Sequence, residues 1–220
     1  MPPWSYSGLT AFESCPRKYF HLKVERSVVE PSSEHATHGV AVHQALEYAV
    51  AGTAPLPEKY LEWLPLVQKL IDAPGEKLVE LEIALDKDFK PVEWQSPSAW
   101  CRGIVDVVVD SGAAAVACDY KTGRRKPEST QLMLFAALLL HSRPKLERVM
   151  TAFLWLKDNR ADRATYNRAD LPSIWREFLP RVARMERAYK TNEWPPRPSG
   201  LCNGWCPVGR DKCEFWNPKR

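Results

Sequence analysis

The segment that most limits what this chain can fold into runs from Cys101 to Lys121. Two apolar runs, Cys-Arg-Gly-Ile-Val-Asp-Val-Val-Val-Asp and Ala-Ala-Ala-Val-Ala-Cys-Asp-Tyr-Lys, flank Ser111-Gly112. β-Branched runs around a glycine-bearing turn read as a β-hairpin. With Ser111 and Gly112 as the loop, Asp106 falls opposite Ala117. Side chains two apart share a face of a strand, so Asp106, Asp119 and Lys121 come to one side of the sheet. Unpaired charge on a half-buried surface is costly. Two readings answer that cost: a buried Asp–Lys ion pair, or a functional site built from two carboxylates and an ammonium.

At 220 residues, 45% hydrophobic and 26% charged, the chain has the makeup of one large globular domain or a domain with a small appendage. Met-Pro-Pro-Trp-Ser-Tyr at the N-terminus has no apolar core of a signal peptide. The longest apolar run, Leu132 to Leu140, is too short to span a bilayer. The expectation is a cytoplasmic protein without membrane association, where six cysteines serve as ligands or buried thiols rather than disulfides. The net charge of +4 is unevenly spread: residues 157–220 carry 14 Lys and Arg against 8 Asp and Glu. A basic C-terminal third beside an acidic site fits a protein that holds a polyanion and binds a cation, and equally an ordinary solvated surface.

In chain order, Ser5 or Ser7 caps a first helix with Leu9, Phe12 and Tyr19 inward, and Pro16 interrupts it beside Cys15. Residues 27–34 read as a loop. A helix follows from about His35 to Val50, with Val42, Ala45, Leu46 and Ala49 as its apolar stripe and His43 at the stripe's edge. A second helix is expected over Glu58–Ile71. Lys77–Leu85 alternates as a strand, with Glu80 and Glu82 on its solvent face; Glu82 alternatively turns toward the carboxylates. After the hairpin and a basic loop, an apolar helix spans about Glu128 to His141, with Gln131 in its first turn. Arg148–Leu156 reads as a strand, Ala164–Tyr166 as a short one, and Leu171–Lys190 as an amphipathic helix. That helix sets Ile174, Phe178, Val182, Met185 and Tyr189 against Arg176, Arg181, Arg184, Arg187 and Lys190. The basic side either tracks phosphates or is simply solvated.

The tail breaks the pattern. Trp194-Pro-Pro-Arg-Pro-Ser-Gly excludes a helix, and Cys202, Cys206 and Cys213 fall within twelve residues of loop. Thiols clustered this way bind Zn²⁺ or an iron–sulfur cluster. Cys101 and Cys118 sit at buried strand positions, so Cys15, beside a chain-breaking proline, is the natural fourth ligand.

Taken together the motifs resemble the PD-(D/E)XK nuclease superfamily, and within it the RecB-like branch with cysteine ligands: recombination, CRISPR-associated and phage exonucleases. The matching residues are Ser7-x-Leu9-x-x-Phe12-x-x-Cys15-Pro16-Arg17-x-Tyr19, Gly39-x-x-x-His43, Gly103-x-x-Asp106, Asp119-Tyr120-Lys121-Thr122-Gly123, Gln131, and Cys202, Cys206 and Cys213. Each alone is weak; the ordered set, spread over nearly the whole chain, is specific.

The resemblance implies an α/β fold with a mixed central sheet flanked by helices. It implies a single nuclease domain, with 35–190 as its core and 1–26 plus 191–220 forming a cysteine-cluster subdomain. Mg²⁺ or Mn²⁺ would be held by His43, Asp106, Asp119 and the carbonyl of Tyr120. Lys121 would orient or deprotonate the attacking water, and Gln131 would position it or a phosphate. Cys15, Cys202, Cys206 and Cys213 would hold a 4Fe–4S cluster, with Zn²⁺ as the alternative. Glu82, Arg17 and Tyr19 are accessory positions. The implied activity is hydrolysis of DNA at ends or in single strands, in recombination, repair or phage DNA processing. It would take place in a bacterial or phage-infected cell beside a separate recombinase, helicase or annealing protein. Two departures stand out: Phe135 occupies a position where the family often has Tyr, and three and six residues separate the C-terminal cysteines where two and five to six are usual. The reading from another class is a non-catalytic nucleic-acid-binding module with a structural metal, which leaves the two aspartates and the lysine unexplained.

Overall fold

The computed structural model describes residues 1–30, 34–125 and 130–218, with the backbone alone for 34–36. Along the chain the elements are α1 (Tyr6–Ser14), α2 (Pro16–Tyr19), α3 (Glu34–Ala51), α4 (Leu64–Asp72), β1 (Glu76–Leu85), β2 (Pro91–Val92), β3 (Cys101–Asp110), β4 (Ala114–Lys121), α5 (Gln131–Ser142), β5 (Arg148–Trp155), β6 (Arg160–Asn167) and α6 (Leu171–Thr191). They form two compact units, Glu34–Arg176 and a discontinuous one that joins Met1–Ser33 to Glu177–Arg220. No helix among the described residues is long and apolar enough to cross a membrane.

The larger unit is built on a six-stranded sheet in the order β2-β1-β3-β4-β5-β6, antiparallel except where β4 runs parallel to β5. A parallel pair needs a crossover, and α5 supplies it. One face of the sheet packs Val107, Val109, Cys118, Tyr120, Ala152 and Leu154 against Val42 and Leu46 of α3 and Val67 and Leu70 of α4. On the other, α5 is buried from Leu134 through Leu140. Gly103 of β3 lies so close beneath it that a Cβ there would sit 2.4 Å from Leu138 Cδ1. Phe135, the departure from the family pattern, also packs here and is buried.

Several boundaries differ from expectation for physical reasons. The helix expected over Glu58–Ile71 is a 3₁₀ segment, Glu58–Trp63, followed by α4, because Pro65 belongs in a helix's first turn where no donor is lost. β6 is eight residues rather than three; its alternation is masked by charged residues on an edge strand. The expected start of α5 near Glu128 lies outside the described residues, as do Pro31, Ser32 and Ser33 of the expected loop.

The hairpin register also differs. Asp110 pairs with Ala115 and Val108 with Ala117, and the Ser111 N–H donates to the Ala114 carbonyl at 2.9 Å. The two loop residues are therefore Gly112 and Ala113. Asp110 Oδ1 accepts the Gly112 N–H at 2.8 Å, and Gly112 takes the left-handed φ of 91° that closes the turn. Continued, this register sets Asp106 opposite Asp119 rather than Ala117. The partner moves by two residues, so every side chain keeps its face.

In the discontinuous unit, Ser5 Oγ caps α1 by accepting the Gly8 N–H at 3.2 Å, and Cys15 separates α1 from α2. Trp194 lies within 5.0–6.2 Å, ring to ring, of Phe12, Tyr19, Phe20 and Tyr189. Arg181 is not part of a free basic face: its guanidinium grips Glu13 at 2.9 and 2.7 Å, two parallel bonds of a fork on a carboxylate.

Candidate active site

Ladder pairing between β3 and β4 ends at Val107–Cys118. Beyond it the side chain of Asp106 takes over from the backbone: its Oδ2 accepts the Tyr120 N–H at 2.8 Å. The same oxygen lies 3.3 Å from His43 Nδ1, which α3 delivers from above. His43 also reaches the Tyr120 carbonyl, and its ring meets the Tyr120 ring edge-on at 5.6 Å. On β4, Asp119 pairs with Lys121. Gln131, the first residue of α5, ties both, donating to Asp119 Oδ1 at 2.7 Å and accepting from Lys121 Nζ at 3.2 Å. Lys121 Nζ rests 5.0 Å over the Phe153 ring. The parallel β4–α5–β5 crossover thus returns Gln131 to the end of the strand that carries Asp119.

The electrostatics are those of too much negative charge in too little water. Asp106 and Asp119 are both buried, at 8% and 4% exposure. Burial first, then the charge of Asp119, pushes the Asp106 carboxyl up to about 8. Burial raises Asp119 too, against the pull of Lys121. Burial lowers His43, against the pull of Asp119, which leaves a neutral imidazole with a lone pair able to ligate. One lysine does not neutralise two buried carboxylates. A divalent cation on His43, Asp106, Asp119 and the Tyr120 carbonyl would, and hard oxygen donors with one imidazole suit Mg²⁺ or Mn²⁺.

Two more acidic residues lie beside this cluster: Glu80, read from the sequence as solvent-facing and exposed here, and Glu47, which the sequence did not single out. Glu80 of β1 holds the register position facing Asp106, between the paired rungs Val79–Val107 and Leu81–Val105. Glu47, one helical turn beyond His43 on α3, is buried against Glu80. Burial, the hydrogen bond to Glu80 and the charge of Glu80 push the Glu47 carboxyl up to about 7. The four-residue spacing from His43 was the available signal. Glu82, considered earlier, pairs with Ile104 and is exposed.

The cysteines of the discontinuous unit are all free thiols. Cys15 Sγ accepts the N–H groups of Lys18 and Arg197 at 3.5 and 3.4 Å, and Cys202 Sγ that of Ser199 at 3.4 Å. Cys206 is held by a backbone bond from Val208 and senses both Cys15 and Cys202. Burial raises the Cys206 thiol, against that backbone bond. Arg17 fastens this unit, donating to the Trp194 carbonyl at 3.1 Å and pairing with Glu214 at 3.4 Å, while the Tyr19 and Tyr189 hydroxyls meet at 3.1 Å. Among the described residues, no three His, Cys, Asp or Glu side chains are already drawn together at metal-ligating geometry.

A carboxylate pair and a lysine where two strands part, covered by a helix-borne histidine and a glutamine from the crossover helix, mark a mixed α/β protein with a hydrolase-like polar centre. Residues 3–213 match the sequence model of the PD-(D/E)XK nuclease superfamily, and the chain belongs to it. No curated protein matches the chain significantly. Among solved structures, one from Eubacterium rectale named "Putative exonuclease" is 12% identical, with a TM-score of 0.53 over 89% of this chain and 84% of its own. A second, SSO0001, is 15% identical with a TM-score of 0.44, covering 98% of this chain and 88% of that one.

Proposed function

We propose that the chain is a divalent-metal-dependent DNA nuclease, an exonuclease acting on DNA ends or single strands in recombination, repair or phage DNA processing. The observation that carries the reading is the convergence of Asp106, Asp119, Lys121, Gln131 and His43 where the β3–β4 ladder stops. His43, Asp106, Asp119 and the Tyr120 carbonyl hold Mg²⁺ or Mn²⁺, which when bound supplies positive charge against the phosphate under attack and acidifies nearby water. Lys121 orients a water for attack and takes up or releases its proton; its ammonium is mobile enough to do so. Gln131 fixes Lys121 and Asp119 relative to one another, so the nucleophile meets the phosphorus in one geometry. The Phe153 ring lies beneath the Lys121 ammonium.

Cys15, Cys202, Cys206 and Cys213 hold a 4Fe–4S cluster in this reading, with Zn²⁺ as the alternative. It joins the two segments of the discontinuous unit. The choice of exonuclease over endonuclease comes from the likeness of the motifs to the RecB-like branch, and DNA is the expected partner, with a recombinase, helicase or annealing protein on a separate chain.

The test is digestion of end-labelled single- and double-stranded DNA with Mg²⁺ and with Mn²⁺, beside Asp119→Ala and Lys121→Ala. Metal-dependent cleavage by the native chain, lost in both folded variants, is expected. Full activity in either variant would sink the nuclease reading.

A further inference from the structure

On β3, just before Asp106, an arginine has its charge unanswered among the described residues. Arg102 and Ile104 precede Asp106 by four and two residues, so the three side chains share one face of the strand. At about 3.3 Å per residue, Arg102 stands about 13 Å from Asp106. Ile104, between them, is 38% exposed, so the face is open on that side of the centre. Arg102 is half-buried, yet its Nε is shielded from solvent and has no hydrogen-bond partner among the described residues. It makes no ion pair among them either. Its rung explains why: the neighbours across the sheet are Ala84 on β1 and, beyond it, Val92 on β2. Glu82 pairs with Ile104 instead and stays exposed. The guanidinium lies against Trp94, 5.1 Å from the ring centroid. That stacking holds the plane of the fork and leaves its donors unspent. A shielded donor without an acceptor points to a partner that arrives from outside.

We propose that Arg102, braced by Trp94, binds a backbone phosphate of the DNA strand that enters the Asp106–Asp119 centre. The proposal rests on the nuclease reading and adds to it a contact away from the reacting atoms. A guanidinium gives phosphate oxygens two parallel N–H bonds, and Trp94 keeps that fork in one orientation. A separation of about 13 Å is too long for one phosphate to touch both Asp106 and Arg102. The contact is therefore to a second phosphate further along the same strand, which favours a polynucleotide over a free mononucleotide. Ile104 offers the intervening sugar an apolar surface. Arg102 holds the strand in place and takes no part in the bond cleavage itself.

The test is binding of a fluorescein-labelled oligothymidylate to the whole chain, followed by anisotropy over a range of salt in chelator, where metal-dependent cleavage cannot proceed. Arg102→Gln keeps the stem against Trp94 and removes the charge. It should bind about ten-fold more weakly. Its slope of log affinity against log salt should shrink by about 0.7, the share of one single-strand phosphate. Arg102→Lys should restore the slope. Trp94→Leu, with the charge present but unbraced, should weaken binding about three-fold and keep the slope. Should the glutamine variant not fold, Arg102→Met, apolar and of similar length, takes its place. A merely structural arginine would lower the melting temperature and leave the slope alone. An unchanged slope in Arg102→Gln, or a native chain that binds no strand, would overturn the proposal; metal-dependent cleavage by that native chain would leave the nuclease reading standing. A slope lost with Gln and restored with Lys, in a chain that cleaves no DNA with either metal, would do the reverse.

Discussion

Asp106 Oδ2 accepts the Tyr120 N–H at 2.8 Å, on the first rung where β3 and β4 no longer pair through their backbones. One carboxylate oxygen thus completes a strand pair and lines the candidate centre. Asparagine can keep the hydrogen bond but gives up the charge. Asp106→Asn should fold with a melting temperature in chelator no lower than native, and lose at least about 100-fold in cleavage. Asp106→Ala instead orphans a buried N–H, a cost of about 1–3 kcal/mol, and should melt earlier as well. Equal melting of the two variants would contradict this dual role.

The pH dependence of metal-free stability has a definite sign. In the folded chain Asp106 is pushed up to about 8, and Glu47 up to about 7, both far above free carboxyls. A raised folded-state pKa means the folded chain holds the proton more tightly. Its contribution is full below about pH 4 and is lost as pH rises through those values. The melting temperature in chelator should therefore fall from about pH 5 to about pH 9, and Mg²⁺ or Mn²⁺ should flatten the decline. A metal-free melting temperature that rises across this range would contradict the burial argument.

Gln131 touches both Asp119 and Lys121 yet carries no charge. Removing it should loosen the geometry rather than the metal. Gln131→Ala is expected to lower kcat about 100-fold while Mn²⁺ affinity changes little. Parallel Mn²⁺ titration and turnover measurements separate the two; a matched loss of affinity would make Gln131 part of the metal shell.

Gly103 leaves no room beneath α5. An alanine there would press on Leu138, which is fully buried. Gly103→Ala should cost about 1–3 kcal/mol in urea unfolding. Pairing it with Leu138→Ala should cost less than the sum of the two single changes, because each relieves the other.

For the cysteines, anaerobically purified protein should be brown, with visible absorbance that Cys206→Ser removes. Colourless protein with stoichiometric zinc would assign the thiols to Zn²⁺ and leave the sheet-borne site untouched.

Much of this was legible in the chain. The apolar runs around Asp106 and Asp119 announce β3 and β4, because β-branched alternation has few other uses. Gln131 meets Lys121 as its place in the first turn after the strand suggests, while His43 was joined to them only by the resemblance. The hairpin loop was read one residue early, since the Asp110 side chain, not the Ser111-Gly112 pair, fixes the turn. Glu80, read as solvent-facing, is exposed, but nothing in an alternating Val-Glu-Leu-Glu run signals its left-handed φ. Glu47 escaped because an acidic residue at the edge of an apolar stripe usually points to water; only the packing of β1 against α3 reveals that this one does not.

The discontinuous unit has a consequence for how the chain comes off the ribosome. Arg17 finds its acceptor on Trp194, 177 residues later, and Glu13 waits for Arg181. The sheet can close as soon as residues up to Arg176 have emerged, but the first thirty residues stay without most of their partners until the last segment is made. In the proposed reading, the set of cysteine ligands would be complete only once that segment has been made. A nascent chain stalled near residue 176 would carry a finished sheet and an N-terminal arm open to proteases and to mispairing with another copy.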